Sequence, residues 1–103
     1  MAYKIIVARP AYEDLRKATS YLRDTLQSNQ AAVRLRQDVR KVSQKIAEMP
    51  QMYGFCSDTY LRAKGFRKAP VGRYLMIFRI NEQRGEVHIL RFFHGSQDYE
   101  QYI

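Results

Sequence analysis

Several features that define whole classes of protein are scarce or missing in this sequence. Its single cysteine, Cys56, cannot form an internal disulfide, which suits a reducing compartment, and we expect it to be a small, half-buried filler. No apolar run approaches the roughly 20 residues that a membrane-spanning helix needs. The N-terminal segment also lacks the apolar core and cleavage site of a signal peptide. We therefore expect a cytoplasmic protein with no membrane partner.

Motifs that carry common chemistries are also missing. The sequence has no Ser-His-Asp order, no CxxC pair, no glycine-rich phosphate loop and no paired carboxylates. We accordingly predict no metal and no cofactor. Internal repeats, low-complexity tracts and long linkers are absent too, so we expect one domain over residues 1–103. A chain of this length buries roughly two thirds of its unfolded surface.

Negative charge is missing from one long stretch. No acidic residue occurs between Asp58 and Glu82, in a chain whose formal net charge is +8. The cations of this stretch fall on segments that we interpret as strands and not as a solvated tail. Such a surface suits polyanions or acidic partners. The six cations are Arg62, Lys64, Arg67, Lys68, Arg73 and Arg79.

The first half of the chain predicts one strand and two helices. Residues 3–8 are short, β-branched and followed by Arg9-Pro10, which indicates a strand. Pro10 suits the first turn of a helix, whose apolar stripe steps by three and four. Ser28 or Asn29 is a good N-cap for a second helix that ends at Pro50. The stripes are Leu15, Ala18, Leu22 and Leu26, then Ala32, Leu35, Val39, Val42, Ile46 and Met49.

The second half predicts three strands, at about residues 66–69, 73–80 and 86–93, after an irregular segment at 51–59. The fold class is then α+β with the order β-α-α-β-β-β. A helical hairpin packs on one face of a largely antiparallel sheet, whose last three strands form an antiparallel meander. We predict one core that contains Leu35, Val39, Val42, Ile46, Tyr74, Met76 and Phe78. The basic back of the second helix is either a solvated face or a secondary contact.

The last two strands end in charged and ionisable residues. If Ile80 pairs with Glu86, then Leu75 lies opposite Arg91, and one face gathers Arg73, Arg79 and Arg91. The alternative is that these arginines only solubilise strand ends. His94, just past the last strand, is either a proton donor or acceptor, or a packing residue. His88 is expected in the core or on the sheet surface.

Taken together, these segments resemble the RelE/ParE superfamily of toxins from bacterial toxin–antitoxin modules. The resemblance covers nearly the whole chain, through YKIIVARPAYEDL, LRAKGFRKAPVGRYLMIFRI and VHILRFFHGSQD. It implies a small basic toxin of the bacterial cytoplasm, neutralised by a cognate antitoxin in a hetero-oligomeric complex.

The RelE-like branch implies ribosome-dependent cleavage of messenger RNA by cations on the sheet with a terminal tyrosine or histidine. Leu75 stands where that branch has a strand arginine, so the set is partial. Loss of one charge stabiliser in such chemistry costs about 2.7–4 kcal/mol. Arg73 is a possible substitute. On this alternative the catalytic residues are Arg67, Lys68, Arg73, Arg91 and His94.

The ParE-like branch is more similar to this chain, in its basic second strand, its aromatic-Arg-apolar triplet and a last strand that leaves through a histidine. It implies no catalysis and no catalytic residue, but binding to DNA gyrase and a block of replication. A third possibility is a non-toxic, basic nucleic-acid-binding domain. The predicted target- and partner-binding residues are Arg62, Lys64, Arg67, Lys68, Arg73, Arg79, Arg91, His94 and Tyr99.

Overall fold

A computed structural model of the chain describes residues 2–95. None of the helices among these residues combines the length and the apolar character that crossing a bilayer requires. The elements are β1 (Lys4–Val7), α1 (Arg9–Ser20), a π-helical turn (Tyr21–Thr25), α2 (Asn29–Glu48), a 3₁₀ turn (Pro50–Met52), α3 (Thr59–Ala63), β2 (Arg67–Val71), β3 (Tyr74–Asn81) and β4 (Glu86–His94).

The strands among the described residues form a mixed sheet in the order β1-β4-β3-β2. β1 runs parallel to β4, whereas β2, β3 and β4 form an antiparallel meander. β1 pairs only with the first half of β4, from Lys4 opposite Glu86 to Val7 opposite Ile89. The predicted α+β class and element order are confirmed.

The first helix departs from its predicted stripe near its end. Pro10 lies in the first turn of α1, and Leu15 and Leu22 pack against the core as predicted. Leu26 is 55% exposed, so its predicted place in the stripe is wrong. The π-helical turn is the reason, because the Leu26 N–H bonds to the Tyr21 carbonyl five residues earlier and the extra residue rotates the stripe.

The second helix follows its prediction closely. Ser28 is the N-cap, and its Oγ accepts the Ala31 N–H at 3.1 Å. Leu35 and Ile46 are buried, but Met49 is 57% exposed and its predicted burial is wrong. α2 ends at Glu48, and the φ of −151° at Met49 takes this side chain off the helical stripe.

The main core lies between the two long helices and one face of the sheet. Ile46, Met76 and Phe78 are at most 1% exposed there. All seven residues predicted for a single core belong to this cluster, with Val39, Val42 and Tyr74 half-buried at its margin. The core prediction is confirmed.

A second, smaller cluster covers part of the opposite face. It joins Cys56, Leu61 and Phe66 to Ile77 and Phe93 of the sheet. Cys56 is fully buried, deeper than predicted. The sequence analysis missed α3, which Asp58 caps by accepting the Leu61 N–H at 3.0 Å.

The predicted register of β3 against β4 is wrong. Asn81, and not Ile80, lies opposite Glu86, because the connecting loop is one residue shorter than predicted. A bulge between Ile77 and Phe78 shifts the register again, so Ile77 lies opposite Arg91. Leu75 therefore does not face Arg91.

Candidate functional site

Most of the predicted cations form one surface around β2 and the segment before it. We call this the basic surface and define it as four cations and three rings. Arg67 lies in β2, and Arg79 lies near the end of β3. The members are Arg62, Lys64, Arg67 and Arg79, with the rings of Phe55, Tyr60 and Phe66. Lys68 follows Arg67 in β2 and lies opposite Ile77, so its side chain points to the other side of the strand from that of Arg67.

Local folding places the rings beside the cations. The Cys56 N–H donates to the Phe66 carbonyl at 2.9 Å, and the Lys68 N–H donates to the Gly54 carbonyl at 3.1 Å. Phe55 therefore lies opposite Arg67, and the edge of β2 is covered. Gly65, with a φ of 81°, makes the left-handed turn that returns the chain from α3 to β2.

Each ring of the basic surface has a cation over it. The Arg67 guanidinium carbon lies 3.9 Å from the Phe55 ring centre, and that of Arg62 lies 5.9 Å away. The Lys64 ammonium is 4.9 Å from the Tyr60 ring centre, and the Arg79 guanidinium carbon is 5.6 Å from that of Phe66. Such contacts orient a cation without neutralising it.

Beside these rings lies a groove of about 420 Å³. Lys64, Arg67 and Arg79 line it. Glu82 lines it too, and its carboxylate accepts hydrogen bonds from the Tyr3 hydroxyl and from Gln51. Among residues 2–95, no cation of the basic surface forms an ion pair with a carboxylate. Its positive charge is therefore available to an anionic partner.

Arg91 belongs to a different site, where α1 packs beside β4. Its Nε donates to Asp14 Oδ2 at 2.8 Å and its Nη2 to Oδ1 at 3.1 Å, and this hydrogen bonding to Asp14 raises the pKa of Arg91. Asp14 Oδ2 also accepts the Phe92 N–H at 3.0 Å, beyond the point where β1 stops pairing. We call this the α1–β4 clasp. Sequence reasoning missed Asp14, because an isolated carboxylate in a helix gives no signal of a partner in the last strand.

The end of β4 forms an aromatic cluster next to the clasp. Tyr74 stacks on Phe92 with ring centres 5.0 Å apart, and the His94 ring meets Tyr74 edge-on at 5.2 Å. Burial raises the pKa of Tyr74, and Tyr21 adds to this shift. A cleft of about 490 Å³ lies here, lined in part by Arg91 and His94. His94 therefore packs against Tyr74 and also lines this cleft.

The predicted gathering of Arg73, Arg79 and Arg91 on one face fails for Arg73, which lies in the turn before β3. Arg79 and Arg91 do share the face of the second cluster, because the two one-residue shifts of register together preserve the face. They are held apart there, since Arg79 lies over Phe66, whereas Arg91 lies over Phe93 and is bound by Asp14. Tyr99 is outside the described residues. His88 is on the sheet with its Nε2 3.1 Å from Glu86, as predicted.

The helical hairpin, the mixed sheet and the basic surface define a protein of the RelE/ParE toxin class. The family model of the ParE toxin of type II toxin–antitoxin system, parDE, matches residues 5–99. The chain belongs to this family, and the predicted superfamily is confirmed. No curated protein matches the chain well enough to count as a relative.

Solved structures share the fold at low identity. The chain resembles the chromosomal ParDE system from P. aeruginosa with a TM-score of 0.71 and 17% identity, covering 90% of this chain and 96% of that one. It resembles the RelBE2 toxin–antitoxin complex from Mycobacterium tuberculosis with a TM-score of 0.65 and 19% identity, over 91% and 99%. It resembles the intact E. coli RelBE toxin–antitoxin complex with a TM-score of 0.57 and 14% identity, covering 93% of this chain and 100% of that one.

Proposed function

We propose that this ParE-family protein arrests growth by binding DNA gyrase and blocking replication, and that a cognate antitoxin neutralises it. The observation that carries the choice of binding over cleavage is the α1–β4 clasp. A cation that stabilises a transition state must point its donors at the reacting group before the reaction begins. The Nε and Nη2 groups of Arg91 point at Asp14 instead.

A second member of the predicted RNase set, after Arg91, is also engaged in the fold. Arg67 donates its Nη1 to the Tyr53 carbonyl at 2.6 Å. Leu75, at the place of the RelE-like strand arginine, packs against the second cluster. Two of the five candidate catalytic residues therefore serve the structure, which supports a binding role for this toxin.

One observation favours the alternative, a ribosome-dependent messenger RNA endonuclease. Arg73 and His94 line the same cleft of about 330 Å³, with Arg34 on its other side. A histidine with nearby cations is the minimum that acid–base cleavage of a phosphodiester needs. His94 is therefore the residue on which the two functions make opposite predictions.

An antitoxin has a separate apolar place to bind. A groove of about 120 Å³ between α1, α2 and the sheet is lined almost entirely by apolar side chains, among them Ala11, Leu15 and Val39. Val7 and Tyr12 at its rim are exposed. We expect an amphipathic acidic antitoxin segment to fill it and to pair with nearby cations. We expect a small acidic protein to be encoded beside this gene, and co-expression with it should yield a stable complex.

Induced expression separates the two targets. We expect DNA synthesis to stop before protein synthesis, cells to filament, and purified protein to inhibit gyrase in a supercoiling assay. His94→Ala should keep this toxicity, since no proton transfer is involved. Discrete ribosome-dependent cuts in primer extension, together with detoxification by His94→Ala, would establish the alternative.

A further inference from the structure

The basic surface holds its charges differently from other arginines of the described chain. Arg16 pairs with Glu13 at 3.0 Å, Arg23 with Asp24 at 2.9 Å, and Arg91 with Asp14 at 2.8 Å. Arg91 also lies over a ring, 4.6 Å from the Phe93 ring centre, but Asp14 compensates its charge. Arg62 and Arg79 lie over aromatic rings and form no ion pair with a carboxylate of residues 2–95. Within these residues an arginine that has a ring and no carboxylate keeps its full charge.

A ring contact also leaves the hydrogen-bond donors of the cation in place. The guanidinium is planar and carries five N–H donors at its edge, so stacking on a ring does not use them. A cation within about 6 Å of a ring centre is restricted in position, so it loses less freedom when it binds an anion. The guanidinium fork also matches phosphate oxygens. Arg62, Lys64 and Arg79 are exposed and lie near rings, so they present positioned donors to an anion with regularly repeated charges.

We infer that the basic surface binds the phosphate backbone of duplex DNA directly and without reading sequence. Duplex DNA has a dense and regular array of phosphates, with one charge per about 1.7 Å of helix axis. Proteins that select single strands use open aromatic rings on which bases stack. Here Phe66 is buried, and Arg67 lies over Phe55 at 3.9 Å and Lys64 over Tyr60 at 4.9 Å, so each ring has a cation on one face. Tyr60 is 61% exposed, which is why a single-stranded competitor is part of the test. The contact needs no gyrase, so it stands or falls separately from the proposed target.

The second helix provides a matched control for charge alone. Arg40, Lys41 and Lys45 are exposed on α2. None of them is near an aromatic ring in the described chain, and Glu48 and Asp38 lie on the same helix. Replacing these three residues removes as much positive charge as replacing three cations of the basic surface.

The test is fluorescence anisotropy of the purified full-length protein with a labelled duplex of mixed sequence, titrated at several salt concentrations. We expect R62Q/K64Q/R79Q to weaken binding at least tenfold and to reduce the slope of log K against log salt by about 2 to 3. R40Q/K41Q/K45Q should change the affinity less than threefold. Circular dichroism checks that both variants fold, and K64Q alone, at an exposed site, should reduce the slope by about 1.

Three outcomes would overturn the inference. Equal losses in the two triple variants would show attraction by net charge alone. Tighter binding to single-stranded RNA of the same length would assign the surface to RNA. Displacement of the duplex by polyglutamate at equal charge concentration would assign it to an acidic protein, because a flexible polypeptide has no regular phosphate array.

Discussion

Arg91 and Arg79 lie on neighbouring strands of one sheet and serve different ends. Arg91 is 25% exposed in its side chain and makes a two-point contact with Asp14, which fastens α1 to β4. Arg79 is exposed, lies 5.6 Å from the Phe66 ring centre, and has no carboxylate partner within residues 2–95. Arg91 of the α1–β4 clasp therefore holds the fold together, whereas Arg79 of the basic surface keeps its charge for a partner. The number of charges does not distinguish a structural arginine from one that faces a partner. The nearest group does, which is a carboxylate for Arg91 and an aromatic ring for Arg79.

Aromatic residues also divide into those that hold the fold together and those that face a partner. The largest loss of stability is expected when one of the first kind is removed. Phe78 is fully buried in the main core, with Tyr53 packed edge-on against it at 5.9 Å. Phe78→Ala should cost about 3–5 kcal/mol of unfolding free energy, because it removes apolar contacts and leaves a cavity. Urea unfolding followed by circular dichroism measures the loss.

Phe55→Ala is the control for this change on the basic surface. The Phe55 ring is 39% exposed, so its removal should cost less than about 1 kcal/mol. It should nevertheless weaken DNA binding, because Arg62 and Arg67 lose their ring. Equal destabilisation by the two substitutions would refute the distinction between core and surface.

Breaking the α1–β4 clasp should have the next largest effect. Asp14→Ala leaves a partly buried Arg91 without its carboxylate and the Phe92 N–H without an acceptor, which should cost about 2–3 kcal/mol. Asp14→Asn should cost less, since it keeps an acceptor. Glu13→Ala, next in sequence, breaks only the exposed pair with Arg16 and should cost at most about 1 kcal/mol. Thermal and urea unfolding measure these losses of stability. If Glu13→Ala destabilises the protein as much as Asp14→Ala does, the clasp does not have the role given to it here.

The smallest effect concerns the turn where β4 ends. Gly95 donates its N–H to the Arg73 carbonyl at 2.7 Å, and a Cβ at Gly95 would lie 2.9 Å from that oxygen. Gly95→Ala should therefore cost about 1–2 kcal/mol through a forced backbone shift. Gly54→Ala is the matched control, because nothing lies within 4 Å of its Cβ position. A melting temperature unchanged in Gly95→Ala would show that the turn adapts.

Long-period features of the fold could be predicted from the sequence. The spacing of three and four along α2 gave Leu35 and Ile46 their core positions, and Ser28 its role as N-cap. Shorter features escaped. α3 spans only Thr59–Ala63, too short for a helical period to appear. The π-helical turn and the β-bulge each insert one residue, which no periodic pattern records but which moves every later side chain.

The candidate site was predictable in its charge and not in its geometry. The lack of acidic residues between Asp58 and Glu82 pointed to a group of cations, and the structure places Arg62, Lys64, Arg67 and Arg79 of this group near aromatic rings. Their ring partners depend on how the segment from Gly54 to Phe66 folds back on β2, which is a tertiary property. The α1–β4 clasp could not be predicted for the same reason, because Asp14 and Arg91 are far apart in the sequence.

The position of β4 has a consequence for biosynthesis. β4 is the last strand of the described chain, yet it lies between β1 and β3 and supplies Val87, Ile89 and Phe92 to the main core. The ribosome synthesises the chain from its N-terminus, so β1 has no hydrogen-bonding partner until β4, the last strand, has been translated. Contacts between such distant segments close a long loop and form late. A chain interrupted before β4 therefore lacks a central strand of its sheet. We expect proteases to degrade such a chain, so that it has no partial toxic activity.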